Sequence, residues 1–446
     1  MQQKMGRRLV IFPLPYLGHQ NPTFELANIL HSKGFSITVI HTRFHSPDPA
    51  KYPHFNFHFI EDGLSESEVP FQDVISLTNT LNNKCVEPFK AFLSQILTDH
   101  GSDQEPVSCL ITDVMWYFTQ AVADALQVPR IVIRTGNLSS FTAFFARLEI
   151  GDKQPDDLIL ELPYLRVKDI PRVGNLGMGG QSPLQHLLSN TITQTKASKG
   201  LIFNAIEELE DRSMAITQHE FPFPVFPIGP FHKCISSPPR NLPTQDQNSI
   251  SWLDSQAPNS VLYVSFGSLA AVDEAGFLEM AWGLANSNQP FLWVVRSDLV
   301  QSSNGSSQFP DGFLEKVSGR GHFVSWAPQK EVLAHPAVGG FWTHSGWNST
   351  LESICEGVPM ICSPCFGDQM VNARYVSEVW KIGLELEKGA KTEDMEKAIR
   401  TLMVEKEGEE IRARAACLKN KASICIQPGG SSYKHMEDLV SLIMSF

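Results

Sequence analysis

The sequence predicts an α/β fold made of two doubly wound halves, and three observations support this prediction. The chain has 446 residues, more than one hydrophobic core usually serves, so two domains are expected. Short apolar runs alternate with helical patterns along most of the chain, which is typical of parallel sheets covered by helices. Between residues 230 and 248 the composition changes to Pro, Ser, Asn and Gln, and the alternation then begins again.

In the first half, the apolar runs have the length of buried strands, and helical patterns lie between them. The first helix is expected to begin at Asn21, which can cap it, with Pro22 in its first turn, and to stop before Gly34. The predicted strands cover residues 8–13, 35–41, 55–60, 107–112, 131–134 and 201–204, and the predicted helices cover 21–32, 77–97 and 114–126.

The second half repeats this pattern, and the chain ends in a helical segment in which Met436, Leu439 and Ile443 fall on one stripe. The predicted strands here are 261–266, 291–295, 322–324, 338–342 and 358–361, and the predicted helices are 277–286 and 348–355. The predicted division is a first domain 1–229, a linker 230–248, a second domain 249–430 and a terminal helix 431–446.

Composition excludes several classes of function. The formal net charge of -12 argues against nonspecific binding to nucleic acid or to an anionic membrane. No apolar stretch reaches the roughly 20 residues that a membrane span needs. The eight cysteines favour a reduced, cytosolic compartment, and the single Cys-x-x-Cys, at Cys362 and Cys365, has no second pair with which to hold zinc. The Asp-x-Asp motif of the metal-dependent transferases is not present, so no metal is expected.

One turn has the features of a phosphate site. The apolar run 338–342 leads through Thr343-His344-Ser345-Gly346 into a helix, where free backbone N–H groups and the positive end of the helix dipole attract anions. The side chains of His344, Asn348 and Ser349 add donors at the same place. The alternative interpretation is structural, with Ser349 as helix cap and Glu352 completing a capping box.

Three further residues follow predicted strands. His19 lies between the first strand and its helix, and Asp113 ends the strand 107–112, at the sheet edge where open α/β folds bind ligands. Each has an ordinary alternative, a turn histidine and a helix cap. Ser268, in Ser-Phe-Gly-Ser at the end of the strand 261–266, could donate to a phosphate oxygen, although that motif alone is weak.

The segment from Trp326 to Gln369 resembles the signature box of plant UDP-dependent glycosyltransferases of secondary metabolism, including its length of 44 residues. The resemblance extends over essentially the whole chain, and it implies the GT-B architecture, two Rossmann-like domains facing across a cleft, with the last helix packing back on the first. It also implies a monomer that uses UDP-glucose as donor and no further cofactor. Ser345 departs from the family, which more often has Cys there, and Thr23 replaces a frequent Met.

The resemblance also implies roles for individual residues. His19 would deprotonate the acceptor hydroxyl, and Asp113 would orient the imidazole and stabilise its cation. In the donor site Trp326 would stack on the uracil and Glu352 would bind the ribose hydroxyls. The other donor-site residues would hold the uridine (Ala327, Gln329), the diphosphate (Ser268, His344, Asn348, Ser349) and the sugar (Trp347 through its backbone, Asp368, Gln369), and Gln369 goes with glucose.

The acceptor is a small-molecule aglycone, and its pocket is the least defined part of the prediction. Three stretches, Phe35–Thr42, Trp116–Phe118 and Asn372–Tyr375, resemble the subgroup of steviol-glycoside, cytokinin and small hydroxy-acid glucosyltransferases. A small defence-related acid is one candidate, and flavonoids, terpenoids and cytokinins are the alternatives. An anionic acceptor would need a donor such as Arg134, Thr135 or Asn137. The candidate pocket residues are Tyr16, Met115, Trp116, Thr135, Asn137, Ser140, Phe144 and Gly367.

Other classes of protein share parts of this pattern. A dinucleotide-dependent oxidoreductase should carry Gly-x-Gly-x-x-Gly at its first helix, and the sequence from Gly18 to Pro22 does not. A sugar-nucleotide epimerase would not need the Asp-Gln end of the box. A noncatalytic sugar-nucleotide binding module would have no use for His19 with Asp113.

Overall fold

The computed structural model describes residues 6–64, 73–98, 105–149, 154–170, 182–234, 244–301 and 309–446, which form two compact units. The first unit comprises the described residues of Met1–Phe145, Arg172–Ser236 and Cys425–Phe446, and the second those of Ala146–Pro171 and Ser237–Ile424. The described residues between 146 and 170 thus group with the second unit, whereas the sequence-based division placed them in the first domain. An ion pair of Asp169 with Arg374 at 3.4 Å helps to hold this segment there. Of the predicted linker, residues 235–243 lie outside the described residues.

Each predicted apolar run forms a strand to within a few residues, and the described residues contain six further strands that were not predicted. In chain order they are β1 (Arg8–Phe12), β2 (Ser36–Thr42), β3 (Asn56–Ile60), β4 (Val107–Asp113), β5 (Arg130–Arg134), β6 (Leu158–Ile159), β7 (Leu162–Arg166), β8 (Leu201–Phe203), β9 (Val225–Pro227), β10 (Val261–Ser265), β11 (Val272–Asp273), β12 (Phe291–Val294), β13 (Val300–Gln301), β14 (Gly321–Val324), β15 (Val338–Thr343), β16 (Met360–Cys362) and β17 (Gly383–Glu385).

The helices lie between these strands. They are α1 (Leu17–Ser32), α2 (Val74–Lys84), α3 (Val86–Thr98), α4 (Thr119–Ala125), α5 (Leu138–Glu149), α6 (Pro183–Lys196), α7 (Asp211–Glu220), α8 (Thr244–Asp254), α9 (Glu274–Ser287), α10 (Phe313–Lys316), α11 (Gln329–Ala334), α12 (Trp347–Glu356), α13 (Gln369–Arg374), α14 (Thr392–Met403), α15 (Lys406–Cys425) and α16 (Ser431–Met444). Among the described residues no helix is long and apolar enough to cross a membrane.

Each unit is built on one parallel sheet. The first sheet has the strand order β3-β2-β1-β4-β5-β8-β9, and the second has the order β14-β12-β10-β15-β16-β17. In each sheet the order in which successive strands are added reverses at one point. This point lies between β1 and β4 in the first sheet and between β10 and β15 in the second. Ligands of open α/β sheets bind at the carboxyl ends of the strands at such a reversal. Residues that follow β1, β4, β10 and β15 are therefore placed for function.

Apolar side chains on both faces of these strands form the cores. In the first unit Ile11, Ile111 and Ile133 of neighbouring strands belong to one buried cluster together with Leu439 and Ile443 of α16. The apolar stripe of the last helix thus packs within the first unit. In the second unit α9 and α14 pack against the sheet in a comparable cluster. Burial on both faces explains why the strands are continuously apolar.

The structure corrects two predicted helices near the sheet edge. Helix α1 begins at Leu17 rather than at Asn21, because Tyr16 is its extended N-terminal residue and the amides of His19 and Gln20 both bond to the Tyr16 carbonyl oxygen at 2.8 Å. His19 therefore lies in the first turn of α1 and not in the loop before it. The helix predicted at 114–126 is confined to Thr119–Ala125, after a turn that Asp113 stabilises.

Candidate active site

The two residues predicted as a catalytic pair lie together in the first unit. The Nδ1 atom of His19 lies 2.7 Å from Oδ2 of Asp113, the last residue of β4. Asp113 is fully buried, whereas 25% of the His19 side chain is exposed. The other carboxylate oxygen of Asp113 accepts the amide of Met115 at 2.9 Å. The fixed carboxylate favours the tautomer in which Nδ1 carries the proton, which leaves Nε2 as a proton acceptor.

Two residues of the predicted acceptor pocket flank this pair. The Oγ1 atom of the buried Thr135 lies 3.3 Å from Nδ1 of His19, so the hydroxyl shares the nitrogen with Asp113. Tyr16 precedes α1 and is buried, and its ring lies 6.4 Å from that of His19. Burial raises the pKa of Tyr16 to about 12. Tyr16 is therefore a neutral, fixed wall beside the histidine.

Trp116, another predicted pocket residue, is a core residue instead. Its side chain is fully buried, its ring stacks on Phe12 at a centroid distance of 4.5 Å, and its indole N–H donates to the Pro13 carbonyl at 3.1 Å. These contacts occupy both the ring and its polar edge, so the assignment of Trp116 to the pocket is corrected. Met115 is half-buried and remains a candidate.

The predicted residues at the start of α5 are engaged with each other. The Oδ1 atom of Asn137 accepts the amide of Ser140 at 3.1 Å, and the Ser140 hydroxyl donates to the Asn137 carbonyl at 3.2 Å. Both residues are completely buried. Asn137 thus caps α5, a role that the sequence did not indicate. Phe144, one to two turns further along, is half-buried, and its ring lies 5.5 Å from the guanidinium of Arg134.

In the second unit, His344 follows β15 and is held between two glycines. A Cβ atom on Gly267 would lie 2.6 Å from Cε1 of His344, and one on Gly346 would lie 2.5 Å from its Nε2. Gly267 also has a φ of +65°, a conformation that glycine adopts at little cost. Burial, reinforced by the charge of Arg296, lowers the pKa of His344 to about 4. The imidazole is therefore neutral at physiological pH and can donate one hydrogen bond.

Arg296 is a residue that the sequence analysis missed. Its guanidinium donates from Nη1 to the carbonyl of Ser268 and from Nη2 to the carbonyl of Ala270, both at 2.5 Å. It thereby fixes the loop after β10 that carries the predicted phosphate donor, and it places a positive charge near His344. In the sequence this residue is marked only by its position directly after a predicted strand, in Val-Val-Arg. An arginine at such a position is common and does not by itself indicate a functional role.

Three predicted donor-site residues form a hydrogen-bonded group. The Nε2 atom of Gln329, the first residue of α11, donates to Oγ of Ser349 at 2.9 Å and to Oε2 of Glu352 at 2.8 Å. Helix α12 begins at Trp347 after Gly346, so Ser349 is not the cap and the alternative of a capping box is wrong. The buried backbone turn at Ser345, with a φ of 64°, aims the start of this helix.

The remaining donor-site candidates differ in exposure. Trp326 is 56% exposed, which is unusual for a tryptophan and leaves its ring open for stacking. Ala327 and Trp347 are buried, and Asn348 is half-buried in the first turn of α12. An exposed indole ring suits stacking on a flat base, and the start of a helix suits an anionic group.

Gln369 stabilises the loop at the C-terminal end of the signature box. Its side-chain oxygen accepts the amides of Cys365 and Phe366 at 2.8 and 3.0 Å, and the residue is buried. The carboxylate of Asp368 accepts a bond from Asn372 at 3.3 Å. Gln369 therefore holds the loop with its oxygen. Gly367, the last pocket candidate, lies in this loop with a φ of +68° and hence belongs to the second unit.

The structure thus brings the predicted residues together in two groups. His19, Asp113 and most acceptor candidates belong to the first unit, and the donor-site candidates belong to the second. Within the parts of the chain that the structure describes, no group of three or more His, Cys, Asp or Glu side chains could hold a metal ion.

Comparisons with known proteins show the family of the chain and its fold. A family model described as UDP-glucoronosyl and UDP-glucosyl transferase matches residues 192–418. UDP-glycosyltransferase 76B1 of Arabidopsis thaliana is 48% identical, with 98% of each chain covered, and UDP-glycosyltransferase 76G1 of Stevia rebaudiana is 45% identical, with 98% of this chain and 97% of the relative covered. Among solved structures, a UDP-glucose: anthocyanidin 3-O-glucosyltransferase in complex with UDP matches with a TM-score of 0.86 and 27% identity over 100% of both chains.

Proposed function

The chain belongs to the plant UDP-glycosyltransferases of the group numbered 76 and has their GT-B fold, and from this premise we propose that it transfers glucose from UDP-glucose to a small plant metabolite. The receiving group would be a hydroxyl or a carboxyl, and the product a β-glucoside. Candidate acceptors are small acids such as salicylate, N-hydroxypipecolate and 2-hydroxy acids. Flavonoids, terpenoids and cytokinins are the alternative acceptors.

The observation that carries the proposal is the contact of His19 with Asp113. Nε2 of His19 takes the proton of the acceptor hydroxyl, whose oxygen attacks the anomeric carbon of the glucose. The bond from that carbon to the diphosphate oxygen breaks, and its electron pair leaves with UDP. Asp113 stabilises the imidazolium that forms. One displacement inverts the anomeric carbon, so the α-linked donor gives a β-linked product.

The residues of the second unit would bind the donor. Trp326 offers its exposed ring to the uracil, Glu352 accepts from the ribose hydroxyls, and the start of α12 with neutral His344 and Ser268 receives the diphosphate. Asp368 and Gln369 would bind the glucose. No metal is needed for these contacts. We also propose a cytosolic location, since no disulfide joins any of the eight cysteines, and a monomeric state.

The direct test is a panel assay with purified enzyme and UDP-glucose. Salicylate, aliphatic 2-hydroxy acids, N-hydroxypipecolate, flavonols and cytokinins are compared by UDP release, and each product is examined by mass spectrometry and by proton NMR. We expect one acceptor class to be turned over at least tenfold faster than the others, with the large anomeric proton coupling of a β-glucoside. A product with retained configuration, or UDP-glucose binding without transfer to any acceptor, would refute the mechanism.

A further inference from the structure

Arg134, the last residue of β5, is a buried arginine that no described residue neutralises. Only 9% of the residue is exposed, and its Nε atom is fully buried without a hydrogen-bond partner. Its guanidinium makes no hydrogen bond or ion pair with the residues that the structure describes, and its one notable contact is the ring of Phe144 at 5.5 Å. A buried cation without an anion is unfavourable, because burial removes its hydration.

Arg130, in the same strand, shows what a structural arginine of this sheet looks like. It is 1% exposed, and it donates from Nε to Thr112 at 2.9 Å and from Nη1 to Gln120 at 3.1 Å. Its Nη2 atom donates to the carbonyl of Trp116 at 3.3 Å. Each guanidinium nitrogen of Arg130 thus has an acceptor, whereas the residues that the structure describes offer none to Arg134. A purely structural role does not account for Arg134.

The position of Arg134 connects it with the catalytic pair. Strand β5 lies beside β4, with Ile133 opposite Asp113 in the register, so Arg134 is at the carboxyl edge of the sheet next to that aspartate. The following residue, Thr135, reaches Nδ1 of His19 at 3.3 Å. The side chain of Arg134 lies along Gly136, where an added Cβ would be 3.3 Å from its Nε atom.

The two other candidates for binding an anion, Thr135 and Asn137, differ from Arg134 because their side chains already have partners. The hydroxyl of Thr135 is shared with His19, and the side-chain oxygen of Asn137 caps α5. The start of α5 adds its own positive potential close to the arginine, since the helix begins at Leu138. The ring of Phe144 offsets only part of the charge. Among the side chains that the structure describes, no carboxylate pairs with Arg134.

We propose that Arg134 binds a carboxylate of the acceptor and thereby makes the enzyme selective for hydroxy acids over neutral phenols and alcohols. This inference rests on the proposed transferase function and decides among the acceptor classes left open there. A planar guanidinium with unused donors matches a planar carboxylate through two parallel hydrogen bonds. The acceptor would then carry one group for Arg134 and a separate hydroxyl for His19.

The test uses acceptors that differ only in charge. Salicylate is compared with salicylamide, and mandelate with mandelamide, in the parent enzyme and in Arg134→Gln. The variant should raise KM for the two acids by about 10- to 100-fold, the range expected when a charge-assisted hydrogen bond is lost. KM for the amides and Kd for UDP-glucose should stay unchanged. Arg134→Lys, which keeps the charge but loses the paired geometry, should recover part of the loss.

A control variant and a measurement of folding accompany this test. Arg400→Gln, an exposed position on α14, controls for removal of any arginine, and thermal unfolding reports whether each variant folds. Equal changes for acids and amides, or a parent that prefers the amides, would overturn the inference while transfer itself remains. A rise in Kd for UDP-glucose would assign Arg134 to the donor phosphates instead. If the parent transfers glucose to no acceptor, the proposed function fails. The anion site is then tested separately, by comparing the calorimetric affinity of the parent for salicylate with that of Arg134→Gln.

Discussion

Nδ1 of His19 lies 2.7 Å from Oδ2 of Asp113, although 94 residues separate them in the chain. The contact follows from the sheet topology, because β1 and β4 are neighbours and the segments after them leave in opposite directions. His19 comes from the first turn of α1 and Asp113 from the end of β4, so both side chains meet at the reversal point. A buried carboxylate on one ring nitrogen prepares the other nitrogen to accept a proton.

The first prediction concerns this pair. His19→Ala should lower kcat for a hydroxyl acceptor by about 10²- to 10⁴-fold, because the general base is removed. Asp113→Asn should also lower kcat, since an amide no longer favours the productive tautomer, although it can still accept the amide of Met115. Both variants should bind UDP with the parent affinity, as measured by calorimetry. An acceptor that reacts through an ionised carboxylate needs no base and should be affected far less. Similar losses for both acceptor types would contradict the role of His19.

Much of the fold was predictable from the sequence because buried parallel strands are continuously apolar, as at Val338–Thr343. The residues that follow such strands lie at the sheet edge, so His19, Asp113 and His344 could be named in advance. Helix starts were less predictable. Asn21-Pro22 looks like a helix start, but the Tyr16 carbonyl collects two amides and begins α1 earlier.

Side-chain partners across the fold could not be predicted. The local pattern of Ser349 and Glu352 fits a capping box, yet both bond to Gln329 from another helix. Trp116 follows the predicted catalytic aspartate and looked like a pocket residue, but its ring packs on Phe12. The local sequence indicates the helix or strand to which a residue belongs. The contacts described here depend instead on which helices and strands pack against each other in the fold.

The second prediction concerns Gln369 and the choice of sugar. Its oxygen binds two loop amides, so Gln369→Asn shortens a side chain that fixes the loop. We expect kcat/KM for UDP-glucose to fall about tenfold or more, since each lost hydrogen bond is worth roughly 1 kcal/mol. The parent should prefer UDP-glucose to UDP-galactose, and the variant should discriminate less. Equal kcat/KM values for the two donors in the parent would exclude Gln369 as the residue that selects glucose.

The third prediction concerns Arg296 and the diphosphate. Arg296→Gln should weaken UDP binding by about 10- to 100-fold, because it removes a positive charge and frees the Ser268 carbonyl. Binding of uridine should be unaffected, and UMP should show an intermediate effect, if the charge acts on the phosphates. Calorimetric titrations with the three ligands measure this directly. Arg296→Lys should recover part of the UDP affinity. A uniform loss for all three ligands would show that Arg296 only maintains the fold of the site.

The fourth prediction concerns the protonation of His344. Its pKa is lowered to about 4 by burial and by Arg296, whereas the unfolded chain should have the ordinary value near 6.5. At pH values between these two pKa values the unfolded chain binds more protons than the folded chain. The free energy of unfolding therefore decreases as the pH falls from 6.5 towards 4. Urea unfolding of the parent and of His344→Gln should show this as a stability difference that shifts by about 2 kcal/mol between pH 7.5 and 5.0, to the disadvantage of the parent. In NMR spectra of histidine-labelled protein, the signal lost in His344→Gln should not titrate above pH 5 in the parent. It should titrate at higher pH in Arg296→Gln, because a repulsive charge has gone. A His344 signal that titrates near pH 6.5 in the parent would mean that the imidazole is charged during donor binding at mildly acidic pH, and that the diphosphate meets an imidazolium rather than a neutral donor.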